Sequence, residues 1–266
     1  MAEYTTLRVE RPRPQIVVAR LNRPERLNAI TFRMFDEFAE LQAEIEADPD
    51  TRVLVITGSG RGFCAGLDLD QAAMLPEMSA AQMLSGQESW ARSVSGFQRM
   101  TTPVIAAVNG AAAGAGLSLA LAADIRIAST TAKFNAAFVR IGLSGGDLGT
   151  SWALPRLLGL GRATEILLTG RFVDAAEALR IGLVTEVCEP DDLLDRALEV
   201  AEQIRGNSPV GMALTKQVIR TNVDASSLDA ALSVENRNQV LATRTADMRE
   251  ALVAFREKRL PRFVGE

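Results

Sequence analysis

The segment PVIAAVNGAAAGAGLSLALAADIRIAS, residues 103–129, contains the pattern that decides the fold class. A short apolar run at 104–108 leads into a turn rich in glycine and alanine, an apolar stretch at 115–123, and a second β-rich run at 125–129. Buried strands that alternate with helices are typical of α/β domains with largely parallel strand pairing. The segment therefore predicts a strand, a turn, a buried helix and a further strand.

An alternative for this segment is a membrane span, because residues 104–123 carry no charged side chain and are long enough to cross a bilayer. Three glycines and an asparagine interrupt the stretch, which favours strand, turn and helix over a continuous transmembrane helix. The N-terminal residues lack the apolar core of a signal peptide, and two cysteines without a CxxC pair are typical of a reducing compartment. We expect a soluble, cytoplasmic protein with no membrane span.

Composition excludes several classes of function. The 266 residues are 47% hydrophobic and 23% charged, and a net charge of −4 gives no electrostatic reason to expect nucleic acid as a partner. The chain has no histidine, which removes Ser–His and Cys–His nucleophile pairs and metal sites that depend on imidazole. We expect no metal site, and proton transfer falls to Asp, Glu, Lys, Cys or the substrate.

The remaining elements follow the same α/β alternation. Apolar residues at helical spacing predict a helix over 31–48 with Thr31 as N-cap, and continuous apolar runs predict strands at 16–23 and 51–58. From residue 191 the pattern is helical almost to the C-terminus. We expect a core over residues 1–190 and a helical region over 191–266 that serves in packing or oligomerisation.

A second glycine-rich turn, GSGRGFCAGLDLD at 58–70, follows its strand as the turn at 109–120 does. Glycines let a backbone approach a ligand closely, and N–H groups at a helix N-terminus are unpaired donors. Two such turns side by side would direct two N–H groups at one oxygen, as in an oxyanion hole. The alternative is tight packing of helix on sheet, and neither turn matches a Walker loop or a full Rossmann fingerprint.

The stretch IGLSGGDLGTSW, residues 141–152, places one acid, Asp147, among four glycines. Asp147 is also the only acid between Asp124 and Glu165. Desolvation raises the pKa of such a carboxyl and a nearby helix N-terminus lowers it, so the sequence leaves the balance open. Two interpretations stand: a catalytic acid/base, or the cap of a helix that begins near Gly149 and Thr150.

Several segments together resemble the crotonase superfamily, also called enoyl-CoA hydratase/isomerase, in family order and spacing over essentially the whole chain. The segments that carry this resemblance are LNRPERLNAI (21–30), GRGFCAGLDLD (60–70), the opening segment (103–129), AEALRIGLVTEV (176–187) and FREKRLPRF (255–263). The resemblance implies an α/β fold in which ββα units form a ClpP-like spiral, followed by a C-terminal helical trimerisation region. It also implies a homotrimer or a dimer of trimers.

The resemblance further implies that the ligand is an acyl thioester of coenzyme A, which is part of the substrate, so that no separate cofactor is expected. By match to the family, the backbone N–H groups of Leu67 and Ala115 hold the thioester oxygen and stabilise an enolate. Ala115 stands where the family more often has glycine, and only its N–H is needed.

Matches to family segments that bind CoA or substrate extend this set. Arg26 and Lys258 would pair with the phosphates of CoA. Lys258 and Phe255 would reach the ligand from a neighbouring subunit. Each of the two charges is equally explained as an ordinary solvated side chain. Asp68 follows the first turn and is also explained as structural. The other positions matched to CoA or substrate binding are Ala65, Gly66, Leu69, Gly114 and Phe138.

The chain departs from the hydratases at both of their catalytic glutamates, which align with Ser118 and Phe138. Asp147 instead matches an aspartate that dienoyl-CoA isomerases use as a proton shuttle and 4-chlorobenzoyl-CoA dehalogenases use as a nucleophile. The dehalogenase histidine and the isomerase glutamate are both missing here. We expect double-bond isomerisation or related enolate chemistry with Asp147 as acid/base. The alternatives are hydration by a non-standard arrangement and an acyl-CoA binding protein without turnover.

Overall fold

The computed structural model of the chain describes residues 3–266. The strands, in chain order, are β1 (Leu7–Arg13), β2 (Ile16–Leu21), β3 (Val53–Gly58), β4 (Val104–Val108), β5 (Ala111–Ala113), β6 (Ile125–Ser129), β7 (Lys133–Asn135), β8 (Phe172–Asp174) and β9 (Glu186–Cys188). The helices are α1 (Phe32–Ala47), α2 (Leu69–Ala72), α3 (Ala80–Arg99), α4 (Ala115–Ala122), α5 (Thr150–Leu158), α6 (Leu160–Thr169), α7 (Ala175–Ile181), α8 (Leu193–Arg205), α9 (Pro209–Asn222), α10 (Leu228–Ala242) and α11 (Ala246–Glu257). Short 3₁₀ turns occupy Pro24–Arg26, Leu75–Glu77 and Ala137–Ile141.

The strands form two sheets. The larger has the order β1-β2-β3-β4-β6-β9 and is parallel except for the β1–β2 pair, while the smaller has the order β5-β7-β8. In the larger sheet Thr57 of β3 pairs with Ala107 of β4, so the two strands end side by side. Carboxyl ends of parallel strands meet at one edge of a sheet, and the two glycine-rich turns therefore begin next to each other.

The segment at 103–129 folds as its pattern predicts. Every residue of β4 is buried because the strand lies inside a sheet covered on both faces. Helix α4 is apolar on all sides, and all eight of its residues are buried, as expected for a helix inside a large core. Within residues 3–266, no helix combines the length and the apolarity needed to cross a membrane.

Helix α8 packs on the larger sheet. Its residues Leu193, Ala197 and Leu198 share a buried cluster with Ile16 of β2 and Val53 of β3. The boundary predicted at residue 190 thus lies just before a helix that packs with the core, and the division into two domains stays a prediction.

Helices α9, α10 and α11 extend beyond the core and carry large apolar side chains at the surface. These include Ile219, Leu228, Val240, Leu252 and Val253. Apolar surface of this extent is unusual for an isolated chain. It supports the predicted oligomer, which stays a prediction.

Candidate active site

A cavity of about 360 Å³ lies where the two glycine-rich turns meet α3 and the loop before α5. The first turn contributes Ala65, Gly66 and Leu67 to its lining, and the second contributes Gly114 and Ala115. The two turns that the sequence proposed as one site therefore do come together.

Close contact between the turns depends on Gly66. Its φ of +96° is in the region that favours glycine, and a Cβ there would lie 2.8 Å from the Ala113 carbonyl oxygen and 3.6 Å from the Ala115 nitrogen. Within residues 3–266, the backbone N–H groups of Leu67 and Ala115 donate to no protein acceptor. Two unpaired donors thus belong to residues that line the cavity.

The first turn is fixed from behind by Asn28. This residue is fully buried, with its backbone in the left-handed region that asparagine tolerates. Its side-chain amide donates to the carbonyl oxygens of Ser59 at 2.9 Å and Gly62 at 2.8 Å, while Ala65 N–H donates to the Leu27 carbonyl at 3.0 Å. Leu27 and Asn28, which follow the predicted phosphate contact Arg26, therefore hold the first turn in place.

Asp68 is buried but lies outside the cavity lining. Its carboxylate pairs with the Arg23 guanidinium at 2.8 Å and accepts the Asp70 N–H at 3.0 Å, capping α2. Burial raises the pKa of Asp68, but the bonds from Arg23 and Asp70 outweigh burial and leave that pKa lowered. These contacts give Asp68 a structural role, and its predicted role in substrate binding stays a prediction.

Asp147 lines the cavity from the loop before α5 and is half-buried. One of its carboxylate oxygens, Oδ1, accepts the Leu148 N–H at 2.8 Å and also the side-chain amide of Gln87. Helix α5 is capped at Gly149 without a side-chain bond, and Thr150 N–H donates instead to the Asp147 backbone carbonyl at 2.9 Å. The carboxylate therefore does not cap the helix, contrary to the second interpretation of the sequence.

The surroundings of Asp147 change the pKa of its carboxyl. Burial raises the pKa of its carboxyl, and the bonds from Leu148 and Gln87 only partly oppose burial. Among the described residues that line the cavity, Asp147 carries the one charged side chain. A carboxyl whose pKa is displaced toward neutrality suits proton transfer near neutral pH.

The two positions where hydratases carry glutamates hold no acid, and only one of them reaches the cavity. Phe138 lines it, 5% exposed, and a Cβ added at Gly114 would lie 3.7 Å from the Phe138 ring. Ser118 is buried in α4, where its hydroxyl hydrogen-bonds the Thr150 hydroxyl at 2.6 Å. Neither side chain can take the part of a water-activating carboxylate.

Helix α3 supplies a wall that the sequence analysis missed. Met83, Gln87 and Trp90 line the cavity, and Val94 and Phe97 continue the same helical face into the core. The i, i+4, i+7 spacing of these residues was readable in the sequence, and Gln87 is the single polar member of the stripe. A polar residue on an otherwise apolar helix face is the signal that could have indicated it.

Leu69, also predicted to contact substrate, stands exposed at the mouth of the cavity. Three other predicted contacts lie outside the cavity. Arg26 is 3.3 Å from Asp70 in an exposed pair, Phe255 is 82% exposed, and Lys258 ends α11 on the surface. None of these three lines the cavity, and their roles toward CoA stay predictions.

Among residues 3–266, no cluster of acidic and cysteine side chains has the arrangement to hold a metal ion.

Comparison with known proteins settles the family. The sequence model of enoyl-CoA hydratase/isomerase matches residues 12–266. The chain belongs to the enoyl-CoA hydratase/isomerase family. It is 42% identical to a probable enoyl-CoA hydratase, EchA12, of Mycobacterium tuberculosis, over 97% of this chain and 92% of that one. It is 39% identical to the 1,2-epoxyphenylacetyl-CoA isomerase of Escherichia coli K12, over 100% of both chains.

Solved structures of the family agree on the fold. The crystal structure of a putative enoyl-CoA hydratase from Streptomyces coelicolor superimposes with a TM-score of 0.95 at 38% identity, covering 100% of this chain and 96% of that one. The predicted membership of the crotonase superfamily and the predicted crotonase fold are confirmed. The chain is an enzyme of the hydratase/isomerase family that processes acyl-CoA.

Proposed function

We propose that the chain is an acyl-CoA double-bond isomerase that works through a thioester enolate, with Asp147 carrying the proton. The observation that carries this proposal is the placement of carboxyl groups. Asp147 is the sole carboxyl among the described lining residues, whereas Phe138 and Ser118 stand where hydratases have glutamates. One carboxyl suffices to remove a proton and return it elsewhere, but the two-glutamate treatment of water needs a pair.

The two unpaired N–H groups of Leu67 and Ala115 support the enolate in this scheme. Removing a proton next to a thioester moves electrons onto its oxygen, and donors placed in advance around that oxygen lower the barrier. One donor of this kind is typically worth about 10²- to 10³-fold in rate. The Ala115 methyl leaves its N–H in place, so the alanine serves here as a glycine would.

Asp147 alone can carry out both proton transfers of the isomerisation. The ionised carboxylate takes a proton from the α carbon of a β,γ-unsaturated acyl group, and the C–H electron pair forms the dienolate. The protonated carboxyl then returns that proton to the γ carbon, and the double bond moves into conjugation with the thioester carbonyl. No water, metal or redox cofactor enters this step, and CoA acts only as part of the substrate.

The cavity indicates the kind of acyl group. Its walls include the rings of Phe35, Trp90 and Phe138, and its polar side chains are few. Trp90 is held by stacking on Phe32, with ring centroids 4.8 Å apart. We propose an uncharged, apolar acyl group with room for a ring, an assignment supported by the name of the E. coli relative as a phenylacetyl-type isomerase.

The CoA portion would extend outside the cavity. We propose that Arg26 contacts its phosphates and that Phe255 and Lys258 reach it from a neighbouring subunit of a homotrimer or dimer of trimers. All three side chains are exposed on the isolated chain, which leaves them accessible to such a ligand.

A second candidate is hydration of an enoyl-CoA with Asp147 as the single acid/base, favoured by the hydratase name of the M. tuberculosis relative. A third is acyl-CoA binding without turnover, to which the missing glutamates point. Assays with β,γ-hexenoyl-CoA and crotonyl-CoA separate the three. Isomerisation predicts rising ultraviolet absorbance from conjugation of the first substrate and little hydration of the second. Faster hydration than isomerisation would favour the second candidate, and tight binding without either reaction would favour the third.

A further inference from the structure

Two hydrogen-bond donors converge on one oxygen of the Asp147 carboxylate. Oδ1 accepts both the Leu148 N–H and the Gln87 amide, whereas Oδ2 accepts from no residue within 3–266. We infer that Gln87 is a positioning residue that occupies Oδ1 and leaves Oδ2 as the oxygen that exchanges a proton with the substrate. This inference rests on the proposed function, in which Asp147 carries the proton.

Helix α3 holds Gln87 in a fixed place. A capping box starts the helix, with the Ser79 hydroxyl and the Gln82 side chain each bonding backbone at the N-terminus. One turn beyond Gln87, Trp90 stacks on Phe32 and Phe35 of α1, and Phe97 is fully buried further along the same face. A side chain on a packed helix is positioned more accurately than one on a loop, so Gln87 can orient the carboxylate of Asp147, which lies on the glycine-rich loop before α5.

The two oxygens of the Asp147 carboxylate differ in what they can do during the reaction. An amide N–H is a donor at every pH, so Oδ1 remains an acceptor whether or not the carboxyl is protonated. The transferred proton is therefore directed to Oδ2. In the first half-reaction the α-carbon C–H bond breaks and the Oδ2–H bond forms; in the second, Oδ2–H breaks and the γ-carbon C–H bond forms.

Within residues 3–266, no charged side chain contributes to the pKa shift of Asp147. Several charged side chains on the neighbouring elements have other partners: on α3, Glu88 lies 3.6 Å from Arg92 and Arg99 donates to Ser95, and near the loop the Arg140 guanidinium stands over the Phe172 ring. On α5, Arg156 pairs with an acid of the segment after α9 and covers the Trp152 ring. The donors that act on the Asp147 carboxylate are the Leu148 N–H and the Gln87 amide. Of these, only Gln87 can be removed by side-chain substitution.

The test is Gln87→Met, which keeps the length of the side chain and its helix propensity but removes the donor. Gln98→Met, on the same helix and away from the cavity lining, is the matched control. With β,γ-hexenoyl-CoA as substrate, kcat of Gln87→Met should fall about 10- to 100-fold with little change in KM, as expected for a misplaced catalytic group. The acidic limb of its pH profile should move to higher pH because the bond to the charged carboxylate is lost.

A second measurement does not need turnover. Carbon-13 NMR of aspartate-labelled protein follows the Asp147 carboxyl, whose signal is assigned by its absence in Asp147→Asn. Its titration midpoint should rise in Gln87→Met and stay unchanged in Gln98→Met.

These measurements distinguish failure of the role of Gln87 from failure of the proposed function. If Asp147→Asn turns over like the parent, the proposed function fails and this inference fails with it. If Asp147→Asn is inactive but Gln87→Met leaves both the pH profile and the NMR midpoint unmoved, the inference alone is overturned, whatever the loss of rate. A raised midpoint together with a lowered kcat supports it.

Discussion

Replacing Asp147 by asparagine should raise thermal stability at neutral pH. Asparagine has the same size, and its side-chain oxygen can still accept from Leu148 N–H and from the Gln87 amide. What the substitution removes is a carboxylate held in an apolar cavity, where burial raises its pKa. When the folded protein disfavours the ionised form of a group, its stability is lower at every pH at which that group is ionised.

The sign and size follow from proton linkage. An aspartate has a pKa of about 3.9 in an unfolded chain. Because the folded-state pKa of Asp147 lies higher, the folded state binds more protons between the two values, and the free energy of unfolding falls as pH rises through that window. Each pKa unit of difference corresponds to about 1.4 kcal/mol. In a chain of this length, 1 kcal/mol is worth roughly 2–4 °C in Tm.

Thermal unfolding of parent and Asp147→Asn across a pH series, at one protein concentration, measures this effect. The two Tm values should nearly coincide below about pH 3, where the carboxyl is protonated in both states, and diverge in favour of the variant as the pH rises above about 4. The control is Asp174→Asn, since Asp174 caps α7 by accepting the Glu177 N–H at 2.8 Å and asparagine caps equally well. A lower Tm for Asp147→Asn at neutral pH would mean that the charge stabilises the fold, and the electrostatic reasoning would be refuted.

Four further predictions concern other parts of the molecule. Phe138→Glu, alone or with Ser118→Glu, should raise crotonyl-CoA hydration above the parental rate by returning an acid to the hydratase position; a folded, ligand-binding variant without that gain would assign the limit to cavity shape. The protein should sediment as a trimer or dimer of trimers, and Lys258→Asn, which suits the left-handed backbone there, should weaken CoA binding roughly 10-fold. A monomer at micromolar concentration would contradict that prediction. Lys216→Met removes the buried member of a partly exposed ion pair, 2.7 Å from Asp124, and should cost about 1–3 kcal/mol, measured as a lower Tm; an unchanged Tm would contradict this.

Patterns local in sequence predicted the elements around the site well. Helix α4 and strand β4 could be predicted from 103–129 because two apolar runs without a charged residue, separated by a glycine-rich turn, are stable only when buried. The meeting of the two turns was also predictable, since parallel strands β3 and β4 end at one edge. Glycine at position 66 then lets the backbones touch.

Contacts between distant segments were not predictable in the same way. The bond between Gln87 and Asp147 joins residues 60 positions apart, and nothing within either segment specifies it. The pairing of Asp68 with Arg23 likewise depends on how the first turn folds back over 3₁₀ turn Pro24–Arg26. Helix α8 has an amphipathic pattern and belongs to the predicted C-terminal helical region, but its apolar face packs on the larger sheet. Its sequence alone does not specify this packing, because the partner surface is formed by several distant strands.

The central claim is that Asp147 takes a proton from the substrate carbon beside the thioester. Deuterium uptake at the α carbon of phenylacetyl-CoA in D₂O, followed by mass spectrometry, tests that step without requiring the physiological substrate. The parent should catalyse uptake, and Asp147→Asn should be slower by about 10²- to 10⁴-fold, the usual contribution of a general base, while its affinity for phenylacetyl-CoA stays near the parental value. Parental rates of deuterium uptake in Asp147→Asn would contradict the account.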